Sequence, residues 1–328
     1  MRRVLVASGW LLLLVLVFLI ARKVPADARA RLAGARPLPI AGGCAVYALA
    51  YVARGARLNF LLPREERIPV TRAVSLSAAT TFLLQVIPFR GGEVATWAAF
   101  RRELGVTWTR AAAIFALVKV VDSATLLLLG LAGAAVLSLR SGSQTIGTAT
   151  AILVAAGAVG LLLLPRIGAT LARSLVQRLP PGSKRRATAL EIAQGLDVAR
   201  AQPGLFLSAI VLALAFLAVH LTALYLMLGG LGIDTSIAGL AFASLTSVLT
   251  ASVIPSPAGS FGPMESGFAA GLALDGVPLP LGALAGAAVH LLTTLIAGVI
   301  GIPFLVRTAR TERTVRTERG KKLGDSEG

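Results

Sequence analysis

A chain of 328 residues that is 56% hydrophobic, with a mean hydropathy of +0.80, is too apolar for a soluble globular protein and indicates a polytopic membrane protein. The single cysteine excludes an internal disulfide and a multi-cysteine metal site, and two histidines are too few for a histidine metal cluster. The net charge of +17 is divided among short loops between apolar runs, so it indicates membrane topology and anionic headgroups rather than a nucleic-acid partner.

The apolar runs predict an all-α protein with about eight transmembrane helices. The first run, 4–21, follows two arginines; it is long for a cleaved signal peptide, so we expect a retained helix. The basic segment 21–37 fits an interfacial helix whose side of the membrane stays open. The other predicted spans are residues 38–53, 68–88, 111–138, 145–165, 205–229, 237–254 and 279–303. Segments 92–102 and 264–274 are shorter than the roughly 20 residues of a full crossing, so each predicts a half-helix.

Charged loops predict the orientation. Loop 54–72 holds five arginines, and 166–200 holds seven basic and two acidic residues, so the positive-inside rule places both in the cytoplasm. If each half-helix region carries the chain across the membrane, both termini also lie inside. We therefore expect one transmembrane domain, 1–306, in the plasma membrane and a disordered cytoplasmic tail, 307–328, which lacks apolar periodicity.

Two segments, about 68–138 and 237–303, resemble each other. Each has an Ile-Pro turn after an apolar run and a glutamate shortly beyond it. Polar residues precede both turns, and a charged or titratable residue follows each at matched spacing: Ser77, Thr80, Gln85 and Lys119 in one, and Ser244, Ser247, Ser252 and His290 in the other. Because the two segments are predicted to cross in opposite directions, they indicate an inverted repeat. Chance similarity between spans rich in small residues is the alternative.

The two turns contain residues that end or bend helices. Proline interrupts the helical hydrogen-bond ladder, and glycine permits backbone conformations closed to other residues. Irregular backbone at membrane depth survives only where it is buried in protein or lines a wet cavity. The residues assigned to these re-entrant turns are Pro88, Pro255, Pro257, Gly259 and Gly262. An ordinary solvated loop is the alternative.

Arg90, Gly91 and Gly92 are candidate lipid-phosphate ligands. They stand where a half-helix begins, and backbone N–H groups and the positive end of the helix dipole bind anions there. A guanidinium adds a planar fork suited to phosphate. The alternative is an arginine that extends to the headgroup layer. On the preceding helix, Ser77, Thr81 and Gln85 share one face that either packs against another helix or lines a cavity.

Four further residues are candidate charge partners or proton carriers. Lys119 and Asp122 lie inside one predicted span, where an isolated charge is costly, and their i, i+3 spacing permits an ion pair. In the functional alternative Lys119 contacts a lipid phosphate and Asp122 holds it in place. Glu93 and Glu265 occupy the first turn of a half-helix, where they either cap the helix or take up a proton. His290 is a hydrogen-bonded core residue or a proton carrier.

The chain has no nucleophile motif, metal-ligand spacing, P-loop or dinucleotide fingerprint. We therefore predict no catalytic residue, no metal and no cofactor, and we do not expect an enzyme.

Over residues 50–305 the chain resembles the family of the lysylphosphatidylglycerol synthase transmembrane region, also called flippase-like integral membrane proteins. The resemblance rests on Arg54-x-x-Arg57 before Leu61-Leu62, Pro88-x-Arg90-Gly91-Gly92-Glu93, Asp122, and Pro257-x-Gly259-x-x-Gly262-x-x-Glu265. It adds Arg54 and Arg57 to the candidate lipid-phosphate ligands. Lys119 stands where the family's Arg-x-x-Asp pattern has an arginine. The family implies a domain that moves an aminoacylated or otherwise modified phospholipid between leaflets, and some members carry a cytosolic aminoacyl-transferring domain.

We therefore expect a flippase-like lipid transporter for a phospholipid or an aminoacyl- or glyco-modified lipid. Its partners are membrane lipids, anionic or modified, with no nucleic acid; the oligomeric state and the energy source stay open. The alternative is a non-transporting membrane partner of a lipid-linked glycosyltransferase or lipid synthase, acting through 166–200. An intramembrane lipid-modifying enzyme is a third possibility.

Overall fold

The computed structural model describes residues 34–324 except 63, 89, 90, 255, 257 and 258. The predicted first helix, 4–21, most of the basic segment 21–37, and the site residues Arg90, Pro255 and Pro257 therefore lie outside the described residues.

The described residues form ten α-helices and one short 3-10 helix, with no strand among them. The α-helices are α1 (Pro37–Leu61), α2 (Val70–Val86), α3 (Gly91–Leu104), α4 (Trp108–Arg140), α5 (Gln144–Arg178), α6 (Lys184–Ala201), α7 (Pro203–Gly230), α8 (Ile237–Val253), α9 (Pro263–Ala273) and α10 (Leu279–Gly324). The all-helical prediction is confirmed for this part of the chain.

Four of the described helices are long and apolar enough to cross a membrane: α1, α4, α7 and the 279–308 part of α10. The two parts of α5, bent by 64°, count as a fifth if they form one broken span. Helices α2 and α8 are apolar but only 17 residues long. The protein is therefore an integral membrane protein, and the count of eight spans stays a prediction.

Helix α1 ends later than the sequence predicted. It continues to Leu61, so Arg54 and Arg57 lie on its last turns and not in a loop 54–72. Nothing in 54–61 interrupts a helix before Pro63, and Leu58 is buried against Leu76 of α2 and Ile114 of α4. Burial of this apolar residue stabilises the extra turns.

Helix α10 also differs from the prediction, because its backbone stays helical to Gly324, through most of the expected disordered tail 307–328. No glycine or proline occurs in 304–319, so nothing in that stretch ends a helix that has already formed. The predicted half-helices, in contrast, correspond closely to α3 and α9.

The main core lies between α1 and the helices α7 to α10. Tyr51, Leu224, Met227 and Leu240 are fully buried there. Gly43 lets α1 approach α7 closely, since a Cβ at that position would lie 2.7 Å from Met227 Cγ. Small residues at such contacts are how membrane helices gain packing contact without a hydrophobic driving force between them.

The helices of the two similar segments pack in an exchanged order. Helix α2 packs against its successor α3 and against α10, while α8 packs against its successor α9 and against α4. If α2 is matched with α8 and α4 with α10, each contact in one segment has its counterpart in the other. A cavity lies between these helices and the α1–α7 pair.

Candidate functional site

The cavity has a volume of about 240 Å³, and its walls come from α1, α2, α4 and α7 to α10. Most of its surface is apolar, but several polar side chains converge on it: Arg54, Gln85, Lys119, Asp122, His220 and His290. These residues come from both predicted repeats, so only the folded chain brings them together. An apolar pocket with a few convergent polar groups is the usual form of a small-molecule or lipid site.

Asp122 on α4 holds two arginines of α1. Its Oδ1 accepts a hydrogen bond from Arg57 Nη1, and its Oδ2 lies 3.5 Å from Arg54 Nη2. The side chain of Arg57 is 1% exposed, whereas those of Arg54 and Asp122 are 19% and 24% exposed. A guanidinium as buried as that of Arg57 requires its anion, because an unpaired charge there would be strongly destabilising. Arg54 also lines the cavity, and its single 3.5 Å contact with Asp122 leaves other N–H groups of the guanidinium to contact a second anion.

Lys119 does not form the ion pair with Asp122 that its spacing permits. No ion pair of Lys119 is found among the described residues, and its Nζ lies 5.9 Å from the Phe115 ring centroid. The arginines of α1 take both Asp122 oxygens, so the carboxylate is turned towards α1. Lys119 lines the main cavity and also a smaller space of about 30 Å³ beside Arg57.

The smaller space contains polar groups without partners. Arg57 Nε and Thr96 Oγ1 are buried and have no hydrogen-bond partner among the described residues. Both residues line this space together with Lys119 and Asp122. Buried unpaired donors are costly, and each such group in a native structure asks for an explanation, such as a ligand or water.

A chain of hydrogen bonds joins the second turn to α2. Glu265 Oε1 lies 2.5 Å from His290 Nδ1, and His290 Nε2 lies 3.1 Å from Ser260 Oγ. The backbone N–H of Ser260 donates to the carbonyl of Gln85 at 3.1 Å. Thr294 of α10 donates to the Gln85 side-chain oxygen at 3.1 Å. Gln85 lies one residue before the end of α2 in the first predicted repeat, so these hydrogen bonds connect the two predicted repeats at their turns.

Ser260, His290 and Glu265 are hydrogen-bonded in the sequence found in a catalytic triad of nucleophile, base and acid. The surroundings of these three residues nevertheless favour a structural role. Ser260 does not line the cavity, although His290 does. Its hydroxyl also lies 3.4 Å from the Gln85 carbonyl. Phe261 stacks on the His290 ring with centroids 4.0 Å apart, which fixes the ring further. We assign no reaction to this group.

Glycine is required in the second turn. Gly259 and Gly262 have φ angles of +70° and +95°, a region that other residues rarely adopt. Glu265 Oε2 accepts from the Gly262 N–H at 2.5 Å, so the glutamate caps α9 as well as contacting His290. The capping role and the histidine contact therefore coexist.

The first turn is described only in part. The Gly91 N–H donates to the Pro88 carbonyl at 3.0 Å, which closes the turn into α3. A Cβ on Gly92 would lie 2.5 Å from the Leu83 carbonyl oxygen, so only glycine allows α3 to pack this closely on α2. Glu93 is half-buried in the first turn of α3. Neither Gly91, Gly92 nor Glu93 lines the main cavity.

The polar face predicted on α2 does line cavities. Thr81 and Gln85 contribute to the main cavity, and Ser77 contributes to the smaller one. Thr81 also donates to the Ser77 carbonyl at 2.9 Å, so its hydroxyl is satisfied within the helix. This face of α2 therefore lines the two cavities, as one interpretation predicted, while part of its polar groups is satisfied within the helix.

Sequence reasoning missed an aromatic cluster on α1 and α7. His220 stacks on Phe216 with centroids 5.9 Å apart and meets Tyr47 at 5.5 Å. The Arg54 guanidinium lies 5.3 Å from the Phe216 ring centroid. The one available signal was a histidine within the otherwise strongly apolar helix α7. Phenylalanine and tyrosine in a membrane helix carry no signal that separates cavity lining from lipid contact.

The fold and the site define a class: an all-helical integral membrane protein with a charged cavity between its helices. The family described as the lysylphosphatidylglycerol synthase TM region matches residues 3–301. The chain belongs to this family, as its motifs predicted, and the membership implies a lipid-related function in the membrane. No curated protein and no solved structure matches the chain.

Proposed function

We propose that the protein moves a phospholipid, or an aminoacyl- or glyco-modified phospholipid, between the leaflets of the plasma membrane. The observation that carries the proposal is the cavity lined by Arg54, Lys119 and Asp122 between helices of both predicted repeats. A lipid headgroup needs such a polar, protein-lined space to pass through an apolar layer.

The charges themselves support this proposal. Each charged side chain at the centre of a membrane helix costs about 2.5–3.5 kcal/mol on insertion scales, so charges there usually serve a site or a path. Asp122 neutralises only part of the positive charge around it. The excess cations, Lys119 and one of the two arginines, suit the phosphate of a headgroup.

The proposed inverted repeat offers a way to expose the site to each side in turn. A glycine with positive φ follows each short helix: Gly105, at 67°, comes directly after α3, and Gly276, at 87°, comes three residues after the end of α9. A long helix begins three residues after each glycine, at Trp108 and Leu279. The exchanged packing of α2 with α10 and α8 with α4 has the form expected of two related halves. Related halves that rock about a central site are a common basis of alternating access.

The proposed orientation has both termini in the cytoplasm. It rests on Arg64, Arg67 and Arg72 after α1 and on the basic residues of 166–200, a segment that covers the end of α5 and nearly all of α6. Transport between leaflets makes and breaks no covalent bond. We accordingly assign no catalytic group, cofactor or metal to the protein.

Reconstitution into liposomes tests the proposal. Purified protein and labelled phospholipids are combined, and the loss of inner-leaflet label to an impermeant quencher is measured over time. We expect Lys119→Met to slow transport by about tenfold, equivalent to the loss of one charge-assisted contact. Arg140→Met is the matched control, because Arg140 is exposed at the end of the same helix.

Two results would contradict the proposal. One is label movement no faster than in protein-free liposomes, for every labelled lipid. The other is equal transport by Lys119→Met and Arg140→Met at equal protein content. A well-folded protein without transport would favour the scaffolding role towards a lipid-linked glycosyltransferase or lipid synthase.

A further inference from the structure

We propose that the lipid held in the cavity has an anionic, phosphate-bearing headgroup without an amine. The inference rests on the proposed function and names the substrate class of the same site. We base this inference on two features of the cavity: its lining has a net positive charge, and the nearby carboxylates are already paired.

The first step is the charge of the lining. Arg54, Lys119 and Asp122 line the main cavity, and Arg57 lines the smaller space that adjoins it. Three cations and one carboxylate leave a net charge of +2. With so few charges in an apolar surrounding, this excess dominates the local potential and favours an anion.

The second step is that the carboxylate lining the cavity is already engaged by two cations. Asp122 uses both oxygens on Arg57 and Arg54. Glu265, the nearest carboxylate of the second turn, does not line the cavity, and its two oxygens meet His290 and the Gly262 N–H. The ammonium of an amine-bearing headgroup would lose its hydration and would have to share Asp122 with two guanidinium groups, and burying an ammonium without an anion of its own is costly.

The third step is that the Phe216 and Phe115 rings already have cationic neighbours. The Arg54 guanidinium lies over Phe216, and the Lys119 ammonium lies near Phe115. An aromatic cage binds an ammonium through faces that are free to meet it. Arg54 and Lys119 would repel an ammonium that approached these rings. These two rings therefore offer an ammonium no free face in place of the engaged carboxylate.

The fourth step is that donors for a phosphate are present and unsatisfied. The Lys119 ammonium offers three donors and has no ion-pair partner among the described residues. The Nε of Arg57 is buried without a hydrogen-bond partner in a side chain that is 1% exposed. A phosphate oxygen reaching the smaller space would satisfy this donor as well as Lys119.

The experiment compares three headgroups on the same labelled acyl chains. Phosphatidylglycerol is anionic, and phosphatidylethanolamine carries one amine. Lysyl-phosphatidylglycerol is phosphatidylglycerol with a lysyl ester on the headgroup glycerol, which adds two amines. Transport in liposomes and the lipid bound to protein in detergent are both measured. We expect phosphatidylglycerol to exceed lysyl-phosphatidylglycerol by at least about tenfold in both measurements, as one lost charge pairing predicts.

Two variants test whether the headgroup preference comes from the charged residues that line the cavity. Lys119→Glu brings the net charge of the four residues to zero, so the preference should fall to about threefold or less. Arg140→Glu makes the same charge change at the exposed end of α4 and should keep the wild-type preference. Lys119→Met, which lowers the charge by one, replaces the glutamate variant if that protein does not fold.

The outcomes separate the inference from the proposed function. Equal or faster transport of lysyl-phosphatidylglycerol by the wild type overturns the inference and leaves the transporter intact. No transport of any lipid overturns the proposed function, and the binding measurement then decides the headgroup class by itself. An unchanged preference in both the Lys119 and Arg140 variants would also overturn the inference, because the preference would not come from this lining.

Discussion

Replacing Asp122 with leucine would leave Arg57 buried without its anion. Removing one partner of a fully buried ion pair costs about 3–5 kcal/mol, because the other charge stays desolvated. Arg57 is 1% exposed, but the Asp122 side chain is 24% exposed and lines the cavity. We therefore expect a loss near the low end of that range, about 3 kcal/mol.

The double variant Arg57→Met, Asp122→Leu removes both charges and keeps similar volumes. Replacing a buried pair by apolar residues is often neutral, so we expect the double variant within about 1 kcal/mol of the wild type. Arg54 also loses its partner, but it is 19% exposed and faces the cavity, where water can solvate it. The double variant should therefore be about 2 kcal/mol more stable than Asp122→Leu alone.

Thermal unfolding of purified wild type, both single variants and the double variant measures this cycle. Lys119→Met is the control, since Lys119 has no ion pair among the described residues and its loss should cost less than about 1 kcal/mol. A double variant as unstable as Asp122→Leu alone would refute the reasoning, because an unpaired Arg57 would then not be the cause. Transport by the same proteins shows whether the pair serves only stability; a stable, fully active double variant would remove it from the site.

Three other predictions can be measured on the same preparation. Gly92→Ala should destabilise the protein by about 1–3 kcal/mol, because the new Cβ would meet the Leu83 carbonyl oxygen. The control Gly42→Ala, at a position with open space around it, should raise the stability by up to about 1 kcal/mol. Equal effects of the two substitutions in thermal unfolding would contradict this prediction. His290→Ala should slow transport by more than about tenfold while phosphatidylglycerol binding stays within about threefold of the wild type, because the substitution breaks the hydrogen bonds between the turns and not the phosphate contacts. A loss of binding would place His290 at the headgroup. A cysteine at Ser183, in a variant without Cys44, should resist impermeant thiol reagents in intact cells, and ready labelling there would invert the proposed topology.

Much of the fold follows from local sequence. Long apolar runs predict the helices, and the Ile-Pro turns with their glycines predict the short helices α3 and α9, because these signals depend only on neighbouring residues. Helix ends were less predictable: Arg54 and Arg57 were expected in a loop, but tertiary burial of Leu58 keeps that segment helical. The family membership was also predicted from motifs whose order in the chain needs no structure.

The arrangement of the site depends on tertiary structure. Spacing placed Lys119 and Asp122 on one helix face, yet Asp122 pairs with arginines 65 and 68 residues away. Ser260 meets Gln85 across 175 residues, and no local pattern indicates that contact. Sequence spacing determines which side chains share a helix face. Which of them becomes a partner depends on how the helices pack, since a charge in an apolar surrounding takes the nearest counter-ion that packing presents, whatever its distance along the chain.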